Sequence, residues 1–301
     1  MAKNKPNENK SKIPSALAKS DDGTIQITFT IPTDIIAKEK KEVMKELAKE
    51  IEIPGFRKGM APVEKVEEKV SKESLYEKIL NKILPLELSN AFKKYNIKPV
   101  IYPRLELLSS KEGENWQIRI TTCELPEVEL GDYKKAISQK KMVNAIWTPE
   151  KGNEKKEDAK PTQADKESEV IKTLVEIAKI KIPKPLKDEE VNSRLSRLLE
   201  QIEKLGLTLD NYLASIGKTS LTLREEYEKE ASDSLTIELA LNKIADEEKI
   251  EIKEEEIDKA INATSGDSKL SEKLQNPEQR RAIASILRRR EALGKLVSLI
   301  Q

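Results

Sequence analysis

The chain contains no histidine. That absence excludes Ser-His-Asp triads, imidazole metal ligands and imidazole proton transfer. Cysteine occurs once, so an internal disulfide cannot form. Cys123 sits in an alternating apolar pattern, which marks a small buried residue rather than a reactive thiol. Aromatic residues are only 4% of the sequence, too few for an aromatic-rich core. Net charge is nearly absent as well: 55 basic against 54 acidic residues leave +1. Nucleic-acid binding by bulk charge is therefore not expected, and only local basic patches stay open. No apolar run reaches the length of a membrane-spanning helix, and the polar, Lys-rich start lacks the apolar core of a secretory signal. The expected location is the cytoplasm, with no membrane partner. What the chain has in quantity is charge of both signs, 36% of its residues, the profile of long helices with solvated faces. At 301 residues it has room for two or three domains.

The patterning divides the chain into an α+β N-terminal part and an all-α C-terminal part. Residues 1–20 are polar and rich in Lys and Asn, the composition of a disordered basic tail. Residues 21–135 open with Ile25, Ile27, Phe29 and Ile31 alternating with polar residues, a half-buried strand. Thr33 or Asp34 caps a helix with Ile36, Val43, Met44, Leu47 and Ile51 on one face. Pro62 opens a short helix carrying Val63, Val66 and Val70. A longer one displays Ile79, Leu80, Ile83, Leu84 and Leu88, with a kink expected at Pro85. Strands near Val100–Leu108 and Trp116–Cys123 complete an α+β domain. Residues 136–167 carry Pro149, Gly152, Pro161 and many Lys and Glu, the composition of a linker; Trp147 is its aromatic. From 168 to 301 helical stripes recur, broken by Pro183, Gly206 and Gly217, and Asn276-Pro277 launches a last helix.

Between the first two helices lies Ile53-Pro54-Gly55-Phe56-Arg57-Lys58-Gly59-Met60-Ala61-Pro62. The prolines remove backbone donors, and the glycines reach angles closed to other residues. Such a loop either projects Phe56, Arg57 and Lys58 toward an anionic partner surface or turns Phe56 back into the core. The segment closely resembles the ribosome-docking signature of the bacterial trigger factor family. Gly55, Phe56, Arg57, Lys58, Gly59 and Pro62 match its pattern, and Met60 stands where the family usually has lysine. Leu125–Leu130 resembles the segment that closes that family's ribosome-binding domain. Gly206-Leu207-Thr208-Leu209-Asp210-Asn211-Tyr212-Leu213, Gly217-Lys218-Thr219 and Ile244–Ile252 resemble its C-terminal chaperone domain.

The resemblance implies an ATP-independent chaperone that docks at the ribosomal tunnel exit through Gly55, Phe56, Arg57, Lys58 and Gly59. Its partners would be ribosomal protein and rRNA at the exit together with nascent or unfolded polypeptides. No cofactor, metal or small-molecule substrate is implied, and a weak homodimer of the free protein stays open. Full-length family members carry a prolyl isomerase domain resembling FK506-binding protein between the two regions. Here about 30 polar residues occupy that place, below the ~40 that a core needs unaided, so isomerase activity is not expected. Gly217-Lys218-Thr219 ends like a phosphate loop but lacks the upstream glycine, and is better read as a helix stop followed by a cap. Client binding then falls to apolar side chains on helix faces. The last helix offers Ile283, Ile286, Leu287, Leu293 and Val297, and its Arg288-Arg289-Arg290 run reads as a solvated cationic face. Two other functions remain open from the residues: a holdase that works away from ribosomes, and a prolyl isomerase with an unrecognised site.

Overall fold

In the computed structural model, residues 13–50, 56, 63–140, 162–264 and 276–300 are described. The chain forms two compact units, residues 1–125 with 183–186, and residues 126–182 with 187–301.

The first unit is built on a four-stranded antiparallel sheet in the order β1-β2-β4-β3, where β1 is Ser15–Lys19, β2 Thr24–Ile31, β3 Arg104–Ser109 and β4 Trp116–Cys123. Strand β2 alternates as expected: Ile25, Ile27, Phe29 and Ile31 are buried, and Gln26, Thr28 and Thr30 face the other side. The register sets Ile31 opposite Trp116, Phe29 opposite Ile118 and Ile27 opposite Ile120. One face of the sheet is therefore apolar, and helices α1 (Thr33–Glu50) and α3 (Lys72–Tyr95) complete the core over it with Val43, Met44, Leu47, Ile79, Leu80 and Ile83. The short helix α2 (Val63–Lys69) adds Val66. Covering one face and wetting the other is the usual state of an antiparallel sheet. Helix α3 runs on through Pro85 and stops at Asn96, whose left-handed φ of 54° turns its amide back to the Phe92 and Lys93 carbonyls.

One sequence expectation changes here. Ser15–Lys19, assigned by composition to a tail, is strand β1 paired along its length with β2, and Ile13 before it is buried in the core. Its residues carry almost no strand pattern of their own; the hydrogen bonds offered by β2 make it a strand. The β1–β2 turn needs Gly23, whose φ is +85°. There Asp22 accepts from the Thr24 amide at 2.9 Å and the Thr24 hydroxyl at 2.8 Å. It also accepts from the Lys184 amide at 3.1 Å, so a carboxylate from the hairpin caps the start of a later helix. Residues 183–186 thereby belong to the first unit although the helix they open continues into the second.

The second unit gathers β5 (Val128–Glu129), α4 (Tyr133–Ser138), α5 (Gln163–Ile177), β6 (Lys179–Ile180), most of α6 (Lys184–Lys204), α7 (Leu209–Ile216), α8 (Ser220–Glu247), α9 (Glu254–Thr264) and α10 (Pro277–Val297). Its core joins Leu130, Tyr133 and Ile137 to Val170, Leu174, Leu241, Ile244, Ala292 and Leu296. That packing is why the units divide at Leu125/Pro126 rather than at 135, as the sequence pattern suggested. Helix α5 also starts before residue 168: Thr162 and Asp165 form a reciprocal capping box, so 163–167 are helix and not linker. The expected caps stand at Thr219 and Asn276, while Thr208, not foreseen from the sequence, caps α7 and Gly217 closes it at φ +65°. Trp147 and the rest of 141–161 lie outside the described residues, as do 1–12 of the expected tail. Among the described residues, no helix is long and apolar enough to cross a membrane.

Candidate functional site

The loop that the sequence singled out is framed by α1, which ends at Glu50, and α2, which begins at Val63. Both ends are tied down by ion pairs. Lys40 of α1 lies 2.6 Å from Glu67 of α2, while Glu46 and Glu50 of α1 meet Lys82 and Lys78 of α3 at 2.6 and 3.1 Å. The hydrogen bond that Lys40 donates to Glu67 raises the Lys40 ammonium above its ordinary range against the cost of burial, and the one that Lys82 donates to Glu46 does the same for Lys82. Exposed pairs of this kind contribute little stability each; their role is to hold the helix ends in register.

Within the loop, Phe56 is 43% exposed. The chain has three phenylalanines. Phe29 is fully buried and Phe92 packs against the first core, so Phe56 is the one that the fold leaves to solvent. With 43% of its surface in solvent the Phe56 ring is open to a partner, and it sits next to Arg57 and Lys58 in sequence. Gly55, Arg57, Lys58 and Gly59 lie outside the described residues.

The five apolar residues proposed on the last helix do not share one environment. Leu293 and Val297 pack against the second core. Leu287 and Leu293 line a cavity of about 370 Å³ with Ile252, Glu256 and Arg290. Ile283 is half-buried, and Ile286 is 56% exposed. The arginine run is not a free cationic face either. Arg288 reaches Asp246 at 2.7 Å and donates to the Ile250 carbonyl at 2.8 Å, and Arg289 pairs with Glu238. These contacts pin α10 to the end of α8.

Further apolar exposure in the second unit runs along α6, α7 and the start of α8. Leu199, Leu205, Leu207, Ile216 and Leu221 are exposed there, whereas Ile202, Leu213 and Leu223 are buried. Sequence reasoning missed these exposed residues. In the sequence Val191, Leu195, Leu198, Ile202 and Leu205 repeat in a near-heptad, but α6 ends at Lys204, so Leu205 follows the turn and not the stripe. The available signal was a leucine on either side of Gly206 and an isoleucine before Gly217, apolar residues at helix ends where polar ones are usual. Among the described residues, no group of His, Cys, Asp and Glu is arranged to hold a metal ion.

Comparison with known proteins identifies the family. A sequence model described as bacterial trigger factor protein covers residues 15–159, and one described as the bacterial trigger factor C-terminus covers residues 150–298. The chain belongs to the bacterial trigger factor family. Among curated trigger factors, that of Limosilactobacillus reuteri (strain DSM 20016) is 39% identical over 115 residues, 38% of this chain and 26% of the relative. That of Streptococcus pneumoniae (strain JJA) is 38% identical over 108 residues, 36% of this chain and 25% of the relative. The alignments thus span about a quarter of the length of these trigger factors. A solved structure from work on promiscuous substrate recognition in the folding and assembly activities of the trigger factor chaperone superposes with a TM-score of 0.62. It is 14% identical, covering 95% of this chain and 99% of that one, so the likeness is one of fold. The α+β first part and helical second part are those of a trigger factor.

Proposed function

We propose that this chain is an ATP-independent chaperone that docks at the ribosomal tunnel exit and holds emerging polypeptides. The observation that carries the reading is Phe56: an exposed aromatic on a loop whose ends are clamped by ion pairs. Phe56 is the apolar anchor, and Arg57 and Lys58 supply charge-assisted contacts to an anionic surface; Gly55 and Gly59 flank them in the proposed docking segment. Clients are held by the apolar side chains left in solvent in the second unit, Leu199, Leu205, Leu207, Ile216 and Leu221, with Ile286. Weak, non-directional apolar contact suits a chaperone that must release without nucleotide hydrolysis. The protein is assigned no prolyl isomerase activity. The first and last family segments adjoin here at residues 150–159, leaving no length between them for a further domain.

Co-sedimentation with vacant bacterial ribosomes tests this. The wild-type chain is expected in the ribosomal pellet, and the Phe56→Ala/Arg57→Ala/Lys58→Ala variant in the supernatant with an unchanged circular dichroism spectrum. A variant that pellets like the wild type overturns the docking assignment.

A further inference from the structure

Strand β3 is the terminal strand of the first sheet, so one edge of its backbone pairs with no strand among the described residues. Leu105 lies opposite Ile120 and Leu107 opposite Ile118, which puts both on the sheet face that α1 and α3 cover elsewhere. The helices do not reach this edge: Leu105 is 46% and Leu107 37% exposed. The charged residue between them, Glu106, pairs with Arg119 at 3.4 Å and points to the polar face. Natural edge strands are usually blunted by inward charges, lysine, proline or a bulge. Here the bulge falls at the far end, between Leu107 and Ser109, and the leucines stay open.

The edge continues into a groove. Pro103, joined directly to Arg104, forms one wall. Pro85, Leu88, Phe92 and Ile97 of α3 and its C-terminal turn form the other, around a volume of about 540 Å³. Tyr102 beside it is 96% exposed. Lys93 is the charged residue in the lining; no carboxylate lines the groove, and Lys93 makes no ion pair among the described residues.

We infer that β3 and this groove take an extended polypeptide segment by strand addition. Open N–H and C=O groups along a strand edge are matched by extended backbone and not by a helix or a lipid. Leu105 and Leu107 accept alternate apolar side chains of the added strand. The groove takes a further apolar side chain, and Lys93 selects a segment with a carboxylate next to it. Among the described residues, the one charged residue lining the groove is a cation with no carboxylate beside it, so its electrostatic complement is a foreign acidic segment and not the same groove of a second copy. The surface shares no residue with the Phe56 loop, so its failure would leave the ribosome reading standing.

The probe is a fluorescein-labelled peptide of alternating Val and Thr with one Glu, titrated with the full chain by anisotropy. Two further peptides carry N-methyl groups on the alternate amides of one edge or of the other, removing hydrogen bonds without changing side chains. One methylated peptide is expected to bind at least about tenfold more weakly, the loss of roughly two backbone hydrogen bonds, while the other binds like the parent. Leu105→Lys/Leu107→Lys should give the same loss with an unchanged circular dichroism spectrum, and Lys93→Glu should weaken the Glu-bearing peptide selectively. In the wild-type chain, amide exchange across 104–109 should slow when peptide is present, a readout independent of any variant. The inference is overturned by failure of the parent peptide to bind, by equal binding of all three peptides, or by no slowing of exchange. Sedimentation showing a dimer that the double-lysine variant abolishes would overturn it in favour of a second copy.

Discussion

Helix α10 supplies a sharp contrast between an apolar residue that folds the protein and one that is free to bind. Leu296 is 2% exposed and sits in the second core with Ala292, Ile244 and Val170. Ile286, on the same helix, is 56% exposed. Leu296→Ala removes buried methyl groups and leaves a cavity, a change that costs about 2–5 kcal/mol. Full burial of an isoleucine contributes about 1.5–3 kcal/mol; with less than half of Ile286 covered, Ile286→Ser should cost about 1 kcal/mol or less. Urea denaturation followed by circular dichroism measures both. Paired with it, suppression of aggregation of a chemically unfolded enzyme, read by light scattering, measures holding. The expected outcome is a stability loss for Leu296→Ala and weaker suppression, with near-native stability, for Ile286→Ser. Comparable destabilisation by both would refute the division of α10 into a core face and a solvent face.

Other expectations follow from single residues. Burial alone would raise the Asp22 carboxyl, but the amides of Thr24 and Lys184 and the Thr24 hydroxyl outweigh it and hold the carboxyl below its ordinary range. A depressed folded value gives stability that is present above the unfolded value near 3.9 and lost as pH falls through the folded one. The urea midpoint of the wild type should therefore drop more steeply below pH 4 than that of Asp22→Asn, and equal slopes would contradict the cap. Gly217 holds φ +65°, and a Cβ there meets nothing within 4 Å. Gly217→Ala should thus cost about 1–2 kcal/mol in urea denaturation from backbone conformation alone; no loss would refute that account. Burial and the nearby Asp22 push the Cys123 thiol up to about 11. It should resist a disulfide reagent at pH 8 in the folded chain and react at once in denaturant; equal rates would show that it is open. Finally, the chain should not accelerate proline-limited refolding of a model protein at catalytic concentrations, and acceleration would require an isomerase site.

Much of this fold was legible in the sequence because its signals are local. The alternation of Ile25 to Ile31, the cap Asn276 with Pro277, and the stops at Gly206 and Gly217 each act within a few residues, and each stands where the pattern put it. What escaped depends on distant partners. Ser15–Lys19 becomes a strand only because β2 lies beside it. Leu130, Tyr133 and Ile137 join the second unit because Val170 and Leu174 wait for them there. No stripe in the sequence announces that Asp22 caps a helix at Lys184. The candidate site shows the same split. A loop rich in Gly and Pro around Phe56 was visible as a motif, whereas exposure at Leu205 and Leu221 depends on where α6 stops and α8 starts. Helical periodicity identifies an apolar stripe; neighbours from elsewhere in the chain decide whether it is covered.

The claim that matters most is that Phe56 meets the ribosome. Replacing Phe56 by the photoreactive p-benzoylphenylalanine and irradiating the full chain with vacant bacterial ribosomes tests it at the residue itself. The account predicts a cross-link from position 56 to a large-subunit component, competed away by unlabelled wild-type chain. Absence of any ribosomal adduct from position 56, under conditions where the same chain still suppresses aggregation, would contradict it.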